Sequence, residues 1–321
     1  MDGWEPTNKH FTKVACLFKE FTFAEQLGLL KQIKGLKADL VHFTMVQQPI
    51  FYRGKVVTTM HDLTTIRFKN PSKNPVVFAI KQQIYKWVNR IAARKSKAVI
   101  TATEYVKEDV AKFAHANSRK ITVTPEAADP ITNPAEPVEG LEAEKFIMYL
   151  GQPFPHKNLG RLIDAFAILQ KTHPDLKLVL AGKKNALYKR HAKDVADKEI
   201  EGVVFTGFVS EGQLRWLYEN TAAYIFPSLS EGFGLPGLEA MLAGAPVVSS
   251  NATCLPEVYG DAAEYFDPLD VEDMAAKIAG VIDSKSKAAN LREKGKKQAA
   301  KYSWKRMAEQ TLETYKEVLG E

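Results

Sequence analysis

Short apolar runs alternate with amphipathic stretches along the whole chain. In the first half, the runs that predict strands cover residues 13–18, 39–44, 56–62, 98–103 and 120–125. Helical periodicity fills the intervals, most clearly at 23–36 and 76–97. The second half repeats this rhythm with six strand-like runs, FIMYLG, KLVLAG, GVVFTG, AAYIFPS, APVVSSN and AEYFDP. Strands that alternate with helices are typical of parallel sheets with helical crossovers, so the pattern predicts the α/β class.

The interval between the two halves has a different character. Residues 125–145 contain four prolines and little apolar periodicity, which indicates a linker. A chain of 321 residues is also longer than one hydrophobic core usually supports. We therefore predict two doubly wound Rossmann-like domains, one within 1–135 and one within 140–302, with a cleft between them. A final helix is expected to begin after Ser303, which would cap it, and to run towards residue 321.

Composition narrows the class of protein further. Hydrophobic residues make up 45% of the chain and charged residues 26%, as in ordinary globular proteins. The sequence has no run of 18 apolar residues, and its N-terminus is too polar for a signal peptide, so we expect a cytoplasmic location. Cys16 and Cys254 lie far apart without metal-ligand spacing, which argues against a disulfide framework and a zinc site. We expect both to be reduced core residues.

Positive charge is concentrated in one segment. Residues 46–97 carry eleven basic residues and one acid, Asp62, so this segment has a net charge of +10 in a chain of net charge +6. The predicted helix at 76–97 combines an apolar set with a basic stripe: Ile80, Ile84, Trp87, Val88 and Ile91, and Lys86, Arg90, Arg94 and Lys97. Two interpretations stay open. The helix packs its apolar side on the sheet and solvates its charges, or it docks on an anionic membrane surface. No recognition motif for nucleic acid accompanies the charge, so nucleic acid is not an expected partner.

The most informative stretch for chemistry is SEGFGLPGLEAMLAGAPVVSSN, residues 230–251. It follows a predicted strand, and its glycines and Pro236 indicate a loop that opens a helix. Such a loop leaves backbone N–H groups free for an anion, and the helix N-terminus adds partial positive charge. The residues that would line this cradle are Glu231, Gly232, Phe233, Gly234 and Leu235. Glu239 follows Glu231 by eight positions, and two carboxylates in one crevice can accept hydrogen bonds from sugar hydroxyls.

This stretch resembles the retaining GT-B glycosyltransferases of family 4, whose signature is E-x7-E within EGFGLPxLEAMAxGxPV, followed by LPEVxGDAA. Residues 231–247 and 255–263 match that signature, and weaker similarity runs from about Phe11 to the C-terminus. The resemblance implies that Glu231 contacts the hydroxyls of a donor sugar and that Glu239 contacts the ribose. It implies contacts to the base near Phe208 and Val209. It also implies that the helix of 303–321 crosses back onto the N-terminal domain.

A second element, GQPFPHKNLGRL at residues 151–162, begins at a strand end and enters a helix. Members of the family usually carry an arginine just after the first glycine and a lysine near the helix start, and both neutralise the diphosphate leaving group. Lys157 matches the lysine, whereas Gln152 occupies the position of the arginine and would donate a hydrogen bond without charge. The sequence has no convincing DxD motif. We therefore expect no metal and no cofactor, with Lys157 and the helix N-terminus in place of a metal ion.

A third element is TTMHDL, residues 58–63, at the end of a predicted strand. Ligands bind outside the carboxyl ends of parallel strands, so His61 is expected to project into the cleft. The resemblance places this histidine close to the transferred sugar. His42, within the predicted strand at 39–44, is expected to be a packed strand residue instead.

The residues and the resemblance together predict an enzyme that moves a hexose from a UDP- or GDP-sugar to an acceptor hydroxyl with retention. A lipid-linked or envelope glycan is the expected acceptor, with the enzyme peripheral on the inner face of the membrane. One departure leaves an alternative open. The predicted first strand runs into KEFTFAEQ, without the family's glycine-rich loop, so we expect a reduced N-terminal domain. The chain would then be a catalytically weak nucleotide-sugar-binding subunit that acts with a partner. A truncated sheet would also favour a homo-oligomer or membrane contact.

Overall fold

The computed structural model describes residues 5–18, 22–68 and 75–321, and two parallel β-sheets organise the chain. The first sheet has the order β1-β2-β3-β4, with β1 (Val41–Phe43), β2 (Val56–Thr59), β3 (Ala98–Thr101) and β4 (Ile121–Val123). Its helices are α1 (Phe23–Leu36), α2 (Thr64–Arg67), α3 (Pro75–Lys95) and α4 (Glu104–Ala114). Each strand pairs with its neighbour in sequence. This sheet therefore winds in one direction and forms one half of a doubly wound pattern.

The second sheet has six strands in the order β10-β9-β8-β5-β6-β7. The strands are β5 (Phe146–Leu150), β6 (Lys177–Ala181), β7 (Val203–Gly207), β8 (Ala223–Phe226), β9 (Val247–Ser250) and β10 (Ala263–Phe266). The helices are α5 (Leu159–Gln170), α6 (Ala186–Asp197), α7 (Glu211–Asn220), α8 (Leu235–Leu242), α9 (Leu255–Tyr259), α10 (Val271–Ile282) and α11 (Lys285–Ala299). The chain winds from β5 to β7 and then returns to the other side of β5. The sheet is therefore doubly wound, with its switch point between β5 and β8.

Helices cover both faces of the second sheet. All four residues of β8 are buried, as expected for a parallel strand between two layers of helices. One face packs on a cluster that includes Phe166 of α5 and Ile278 of α10. The other face packs on a cluster that includes Leu217 of α7 and Met241 of α8. This packing fixes the carboxyl ends of β5 and β8, where two loops of the site begin.

The strand predictions are confirmed with one exception. Each of the six runs in the second half and four of the five in the first half contains a strand. The prediction at 13–18 is wrong, because residues 11–18 have no regular structure and are mostly exposed. A strand needs a neighbour to pair with, whereas this segment contacts α1, where Gln32 Nε2 donates to the carbonyl of Ala15 at 2.7 Å. Cys16 lies in this segment and is exposed, so the core placement is correct only for Cys254.

The last helix, α12 (Trp304–Leu319), returns to the first sheet. Ser303 caps it as predicted, since its side chain accepts from the N–H of Arg306. Tyr315 and Val318 of α12 pack against the cluster of Val57, Ala98 and Ile100. His42 is a packed strand residue, and its ring hydrogen-bonds Tyr315 Oη at 2.5 Å and Thr59 Oγ1 at 2.8 Å. Residues 124–145 contain no helix or strand and join the two sheets.

Helix α3 presents the opposite face to that expected for a helix packed on the sheet by its apolar side. Ile80, Ile84 and Trp87 are 60%, 57% and 52% exposed, whereas Asn89 is buried. Two members of the predicted basic stripe bond to the end of α4 instead of standing free in solvent. The Arg90 guanidinium lies 4.6 Å from the ring centroid of Phe113, and Arg94 Nε donates to the carbonyl of Ala114 at 2.6 Å. Periodicity identified the helix but not its orientation, because a second apolar set, Tyr85, Ala92 and Ala93, is buried or partly buried on the inward side.

Where the structure is described, no helix combines the length and the apolar character that crossing a bilayer requires.

Replacing Gly237 tests how tightly α8 is packed. A Cβ at this position would lie 2.2 Å from Tyr259 Oη, and Tyr259 is fully buried. We expect Gly237→Ala to lower the free energy of unfolding by about 1–3 kcal/mol, as overpacking does. Gly160→Ala in α5 is the matched control, because no atom lies within 4 Å of its Cβ position. Chemical denaturation should show that the control is as stable as wild type or more stable. Equal free energies of unfolding for the two variants would contradict the close contact between Gly237 and Tyr259.

Candidate functional site

The candidate site lies where loops from both sheets meet. One loop leaves β8 and enters α8, and a second leaves β5 and enters α5. A third segment, residues 60–63, leaves β2 of the first sheet and enters α2. Since β5 and β8 flank the switch point of the second sheet, their loops border the crevice where doubly wound sheets bind ligands.

Two predicted site residues form an ion pair in this crevice. Lys157 Nζ lies 2.6 Å from Glu231 Oε1, and the two side chains are 19% and 14% exposed. Lys157 Nζ also lies 5.5 Å from the ring centroid of Phe226. The sequence predicted separate contacts for these two residues, and the structure brings them together. A pair with so little solvent contact is costly to break by removing one partner, because the other charge is left uncompensated.

The loop before α8 offers a row of backbone donors. The N–H groups of residues 232–235 find no hydrogen-bond acceptor among the described residues. Gly234 has a φ of 103° at the N-cap of α8, a conformation that favours glycine, and its carbonyl accepts from Tyr259 Oη at 2.6 Å. The Phe233 side chain is buried against Tyr302, so only its backbone can face a ligand. Free N–H groups at a helix N-terminus are suited to an anion.

The same loop packs directly on the first sheet's segment. A Cβ on Gly232 would lie 2.1 Å from the carbonyl oxygen of His61, so the close approach requires glycine. Thr103 Oγ1 donates to the carbonyl of Gly232 at 3.1 Å. Thr64 Oγ1 and Ser230 Oγ hydrogen-bond at 2.9 Å, and both residues are buried. The loop is therefore fixed from both sides of the cleft.

Glu257 joins the two halves a short distance away. Its carboxylate accepts from the N–H of Glu104 at 2.8 Å and from the N–H of Tyr105 at 2.9 Å. These are the first two residues of α4, so a negative charge lies at the positive end of a helix dipole. Glu257 lies in the LPEV segment of the family signature, which by itself predicted no role for this residue. The geometry shows that it links the second sheet's helices to the first.

His61 projects towards the cleft, but protein groups occupy both of its ring nitrogens. Nε2 lies 3.0 Å from the carbonyl oxygen of Thr44, and Nδ1 lies 2.9 Å from Glu126 Oε1. A carbonyl and a carboxylate both accept, and a neutral imidazole has only one N–H, so the imidazolium satisfies both partners. The hydrogen bond to Glu126 accordingly raises the pKa of His61 above its usual value.

Glu239 lies one turn into α8 and lines a cavity of about 330 Å³. The other walls of this cavity are residues 127–132 of the linker, Glu211, Leu214, Leu235 and Trp304. Tyr218 Oη donates to Glu239 Oε2 at 3.4 Å. Burial raises the pKa of Glu239 above the usual carboxyl value. A half-buried carboxyl in a concave site has acceptor capacity left for hydroxyls of a ligand.

The remaining predicted residues are not gathered with this group. Gln152 is exposed, and no group in the described ranges hydrogen-bonds its side chain. Phe208 is 83% exposed. Val209 is partly buried and packs on the same core cluster as Leu214 of α7. Neither Val209 nor Gln152 lines the cavity of Glu239.

Comparison with known proteins places the chain in a family. A family model described as Glycosyl transferases group 1 matches residues 134–298, which is more than half of the chain. The chain belongs to the glycosyl transferases group 1 family. A second model, described as Glycosyltransferase Family 4, matches residues 11–131 of this glycosyltransferase. The two matches together support the family resemblance that the sequence motifs indicated.

Several of the similar proteins are named as mannosyltransferases. The glycosyltransferase is 29% identical over 279 residues to O-antigen chain mannosyltransferase B of Escherichia coli, covering 82% of this chain and 70% of that protein. It is 28% identical to the serotype-specific mannosyltransferase WbdA of Escherichia coli, covering 83% of this chain but only 34% of that protein. The crystal structure of Anabaena HepE in complex with UDP-glucose matches with a TM-score of 0.74 and 18% identity, covering 94% and 85% of the two chains. This last likeness shows the GT-B fold.

Several site residues of this glycosyltransferase were missed from the sequence. Glu126 follows β4 and meets His61, which follows β2, so both stand at the carboxyl edge of one sheet. That shared edge was a usable signal. Tyr218 of α7 gave no signal, because its contact with Glu239 depends on how two helices pack. His156 precedes Lys157 directly and was passed over, although burial and the charge of Lys157 lower its pKa.

Removing the Glu126 carboxylate tests the ionisation of His61. We expect Glu126→Gln to lower the His61 pKa, read from the imidazole proton shifts in an NMR titration. The folded-state pKa of His61 is raised, so its contribution to stability is full below its ordinary value of about 6.5 and is lost as pH rises through the folded value. The difference in the free energy of unfolding between wild type and variant should therefore disappear as pH rises above the folded-state pKa of His61. Glu139→Gln, an exposed linker carboxylate, is the control. An unchanged His61 pKa would refute the assignment.

Proposed function

We propose that this chain is a retaining glycosyltransferase that moves a hexose from a UDP- or GDP-sugar to an acceptor hydroxyl. The main support is the Lys157–Glu231 pair beside the free N–H groups of residues 232–235. One cation and several backbone donors suit a diphosphate, and an adjacent carboxylate suits the hydroxyls of a sugar. The relatives named as mannosyltransferases make mannose the first hexose to test.

In the proposed reaction the acceptor oxygen attacks the anomeric carbon on the face from which the diphosphate departs. The bond from the anomeric carbon to the phosphate oxygen breaks, and the bond to the acceptor oxygen forms. The acceptor proton passes to the leaving phosphate oxygen. Lys157 and the N–H groups stabilise the charge on the diphosphate, and Glu239 contacts the ribose. The proposal includes neither a protein nucleophile nor a metal ion.

The Lys157–Glu231 ion pair implies that donor binding changes the anionic partner of Lys157. A diphosphate that binds Lys157 would replace Glu231 as its anionic partner, and Glu231 would then accept hydrogen bonds from sugar hydroxyls. Substituting either member leaves the other charge unpaired in a poorly solvated place, which costs stability as well as binding. Glu239, which forms no ion pair within the described residues, is therefore the better position for a binding test.

A different class of function is a nucleotide-sugar-binding subunit of low activity that works with a partner. Two observations favour it, the one-direction winding of the first sheet and the exposed Gln152 at the arginine position of the family. Hydrolysis of a donor sugar nucleotide distinguishes an enzyme from a binding subunit. A purified chain that hydrolyses a sugar nucleotide above background is an enzyme, and one that binds the nucleotide without hydrolysis or transfer is a subunit.

Calorimetric titration with UDP, GDP, UDP-glucose and GDP-mannose, in the presence of a chelator, tests the donor site. We expect one nucleotide to bind, and Glu239→Gln to weaken it about 10–100-fold, since a hydrogen bond to a charged group is worth about 1.5–3 kcal/mol. Glu293→Gln, which removes a solvent-exposed charge on α11, should bind as wild type does. Binding that is lost on adding the chelator would reject metal independence, and no binding to folded protein would reject the donor site.

We also propose that the enzyme docks on an anionic membrane surface to reach a lipid-linked acceptor. Support comes from the outward face of α3, where Ile80, Ile84 and Trp87 are exposed in a segment of net charge +10. An apolar helix face next to basic residues suits the interface of an anionic bilayer, and each basic residue contributes about 1 kcal/mol near the surface. Docking here would leave the enzyme on the inner face of the membrane.

Co-sedimentation with vesicles tests this docking. Wild type should bind vesicles that contain phosphatidylserine and not those of phosphatidylcholine alone. The triple variant Ile80→Ser, Ile84→Ser, Trp87→Ser should lose binding, whereas Leu312→Ser, at a 50% exposed position on α12, should keep it. If the triple variant instead dissociates an oligomer and leaves vesicle binding unchanged, the face joins two copies of the chain and the membrane proposal is wrong.

A further inference from the structure

Three aromatic rings meet beside the donor residues, and they come from both sides of the cleft. Phe154 and His156 lie in the loop after β5, with ring centroids 6.0 Å apart and planes at 11°. Phe68, which follows α2 of the first sheet, lies 5.7 Å from the His156 ring. Phe154 is 36% exposed, so part of its ring is open to solvent. Nothing in the proposed donor contacts uses these rings.

His156 is the imidazole of the cleft whose nitrogens remain available. Its ring makes no hydrogen bond to any described residue, whereas both nitrogens of His61 are engaged. Its backbone is fixed, because its carbonyl accepts from the N–H of Leu229 at 2.7 Å. Burial and the charge of Lys157 lower its pKa, which favours the neutral ring. A neutral imidazole presents one donor and one acceptor, the pair that a sugar hydroxyl requires.

The position of His156 relative to the donor residues is also informative. It is the residue before Lys157, whose Nζ contacts Glu231, and the charges of Lys157, Glu231 and Asp62 all act on its ring. The cavity of Glu239 is bordered by the linker, α7 and the start of α12, and none of the three rings lines it. The aromatic cluster therefore borders the diphosphate and sugar end of the donor crevice, away from the cavity assigned to the nucleoside.

We propose that Phe68, Phe154 and His156 form the subsite for the acceptor sugar. The apolar C–H face of a pyranose would pack on the exposed part of the Phe154 ring face, and a hydroxyl would hydrogen-bond His156, as in binding sites that combine aromatic walls with a few placed polar groups. The acceptor must reach the anomeric carbon from outside the donor-binding loops, and this cluster spans that approach from both sheets. This inference rests on the proposed function.

Direct binding of simple sugars tests the subsite without requiring turnover. The probes are the methyl α-glycosides of mannose, glucose, galactose and N-acetylglucosamine, observed by saturation-transfer NMR with the tightest-binding nucleoside diphosphate present. We expect at least one glycoside to bind, and Phe154→Ala and His156→Ala each to weaken it about tenfold. Nucleotide affinity and unfolding should stay as in wild type, which a purely structural role of the rings would not produce. Phe154→Tyr, which keeps the aromatic face, should bind the glycoside as tightly as wild type does.

Three outcomes would overturn the subsite. No glycoside binds to a protein that binds nucleotide, in which case the donor site and the proposed function stand without it. The alanine variants bind the glycoside as wild type does, which leaves the rings as packing between the two sheets. Nucleotide affinity falls together with glycoside affinity, which assigns the cluster to the donor. Absence of nucleotide binding in the wild type, by contrast, rejects the proposed function itself.

Discussion

The close approach of Gly232 to the carbonyl of His61 is the constraint on which the rest of the site depends. No side chain fits there, since a Cβ would lie 2.1 Å from that oxygen. The backbone of the loop before α8 therefore rests directly on the strand end of the other sheet. Around this contact, Thr103, Thr64 and Glu257 add hydrogen bonds that cross the cleft. The candidate donor loop is thus shaped by both sheets, although its sequence belongs to one.

Charge is arranged in compensated pairs along the same cleft. Lys157 pairs with Glu231 on the side of the second sheet, and His61 pairs with Glu126 on the side of the first. The Lys157–Glu231 pair has little contact with solvent, so an unpaired charge there would be costly, whereas the His61 side chain is half exposed. In the proposed donor complex, the diphosphate replaces the Glu231 carboxylate as the anionic partner of Lys157, so this cation is paired both before and after binding.

The elements of the second sheet could be predicted from the sequence more completely than those of the first, and the reason is physical. Fully apolar strands such as β5 and β8 leave little ambiguity. The signature at 231–247 also located the candidate donor loop and Glu231, the carboxylate of the ion pair. Periodicity could not decide which face of α3 meets the sheet, because both sides of that helix carry apolar residues. Residues 13–18 form an apolar run of strand length but have no partner strand in the described chain. Glu126, Tyr218 and His156 acquire their contacts only through tertiary packing, which no local pattern encodes.

The first sheet winds in one direction only, so it matters which of its strands contribute residues to the candidate site. The contacts that this sheet makes with the loop before α8 come from the segments that follow β2 and β3, and the partner of His61 follows β4. These three neighbouring strands end at one edge, and that edge faces the second sheet. β1 also reaches the site directly, because the carbonyl of Thr44, the residue after β1, lies 3.0 Å from His61 Nε2. His42 on the same strand bonds to α12. The wall of the cleft beside the candidate donor loop is therefore built by the segments that follow all four strands of this sheet.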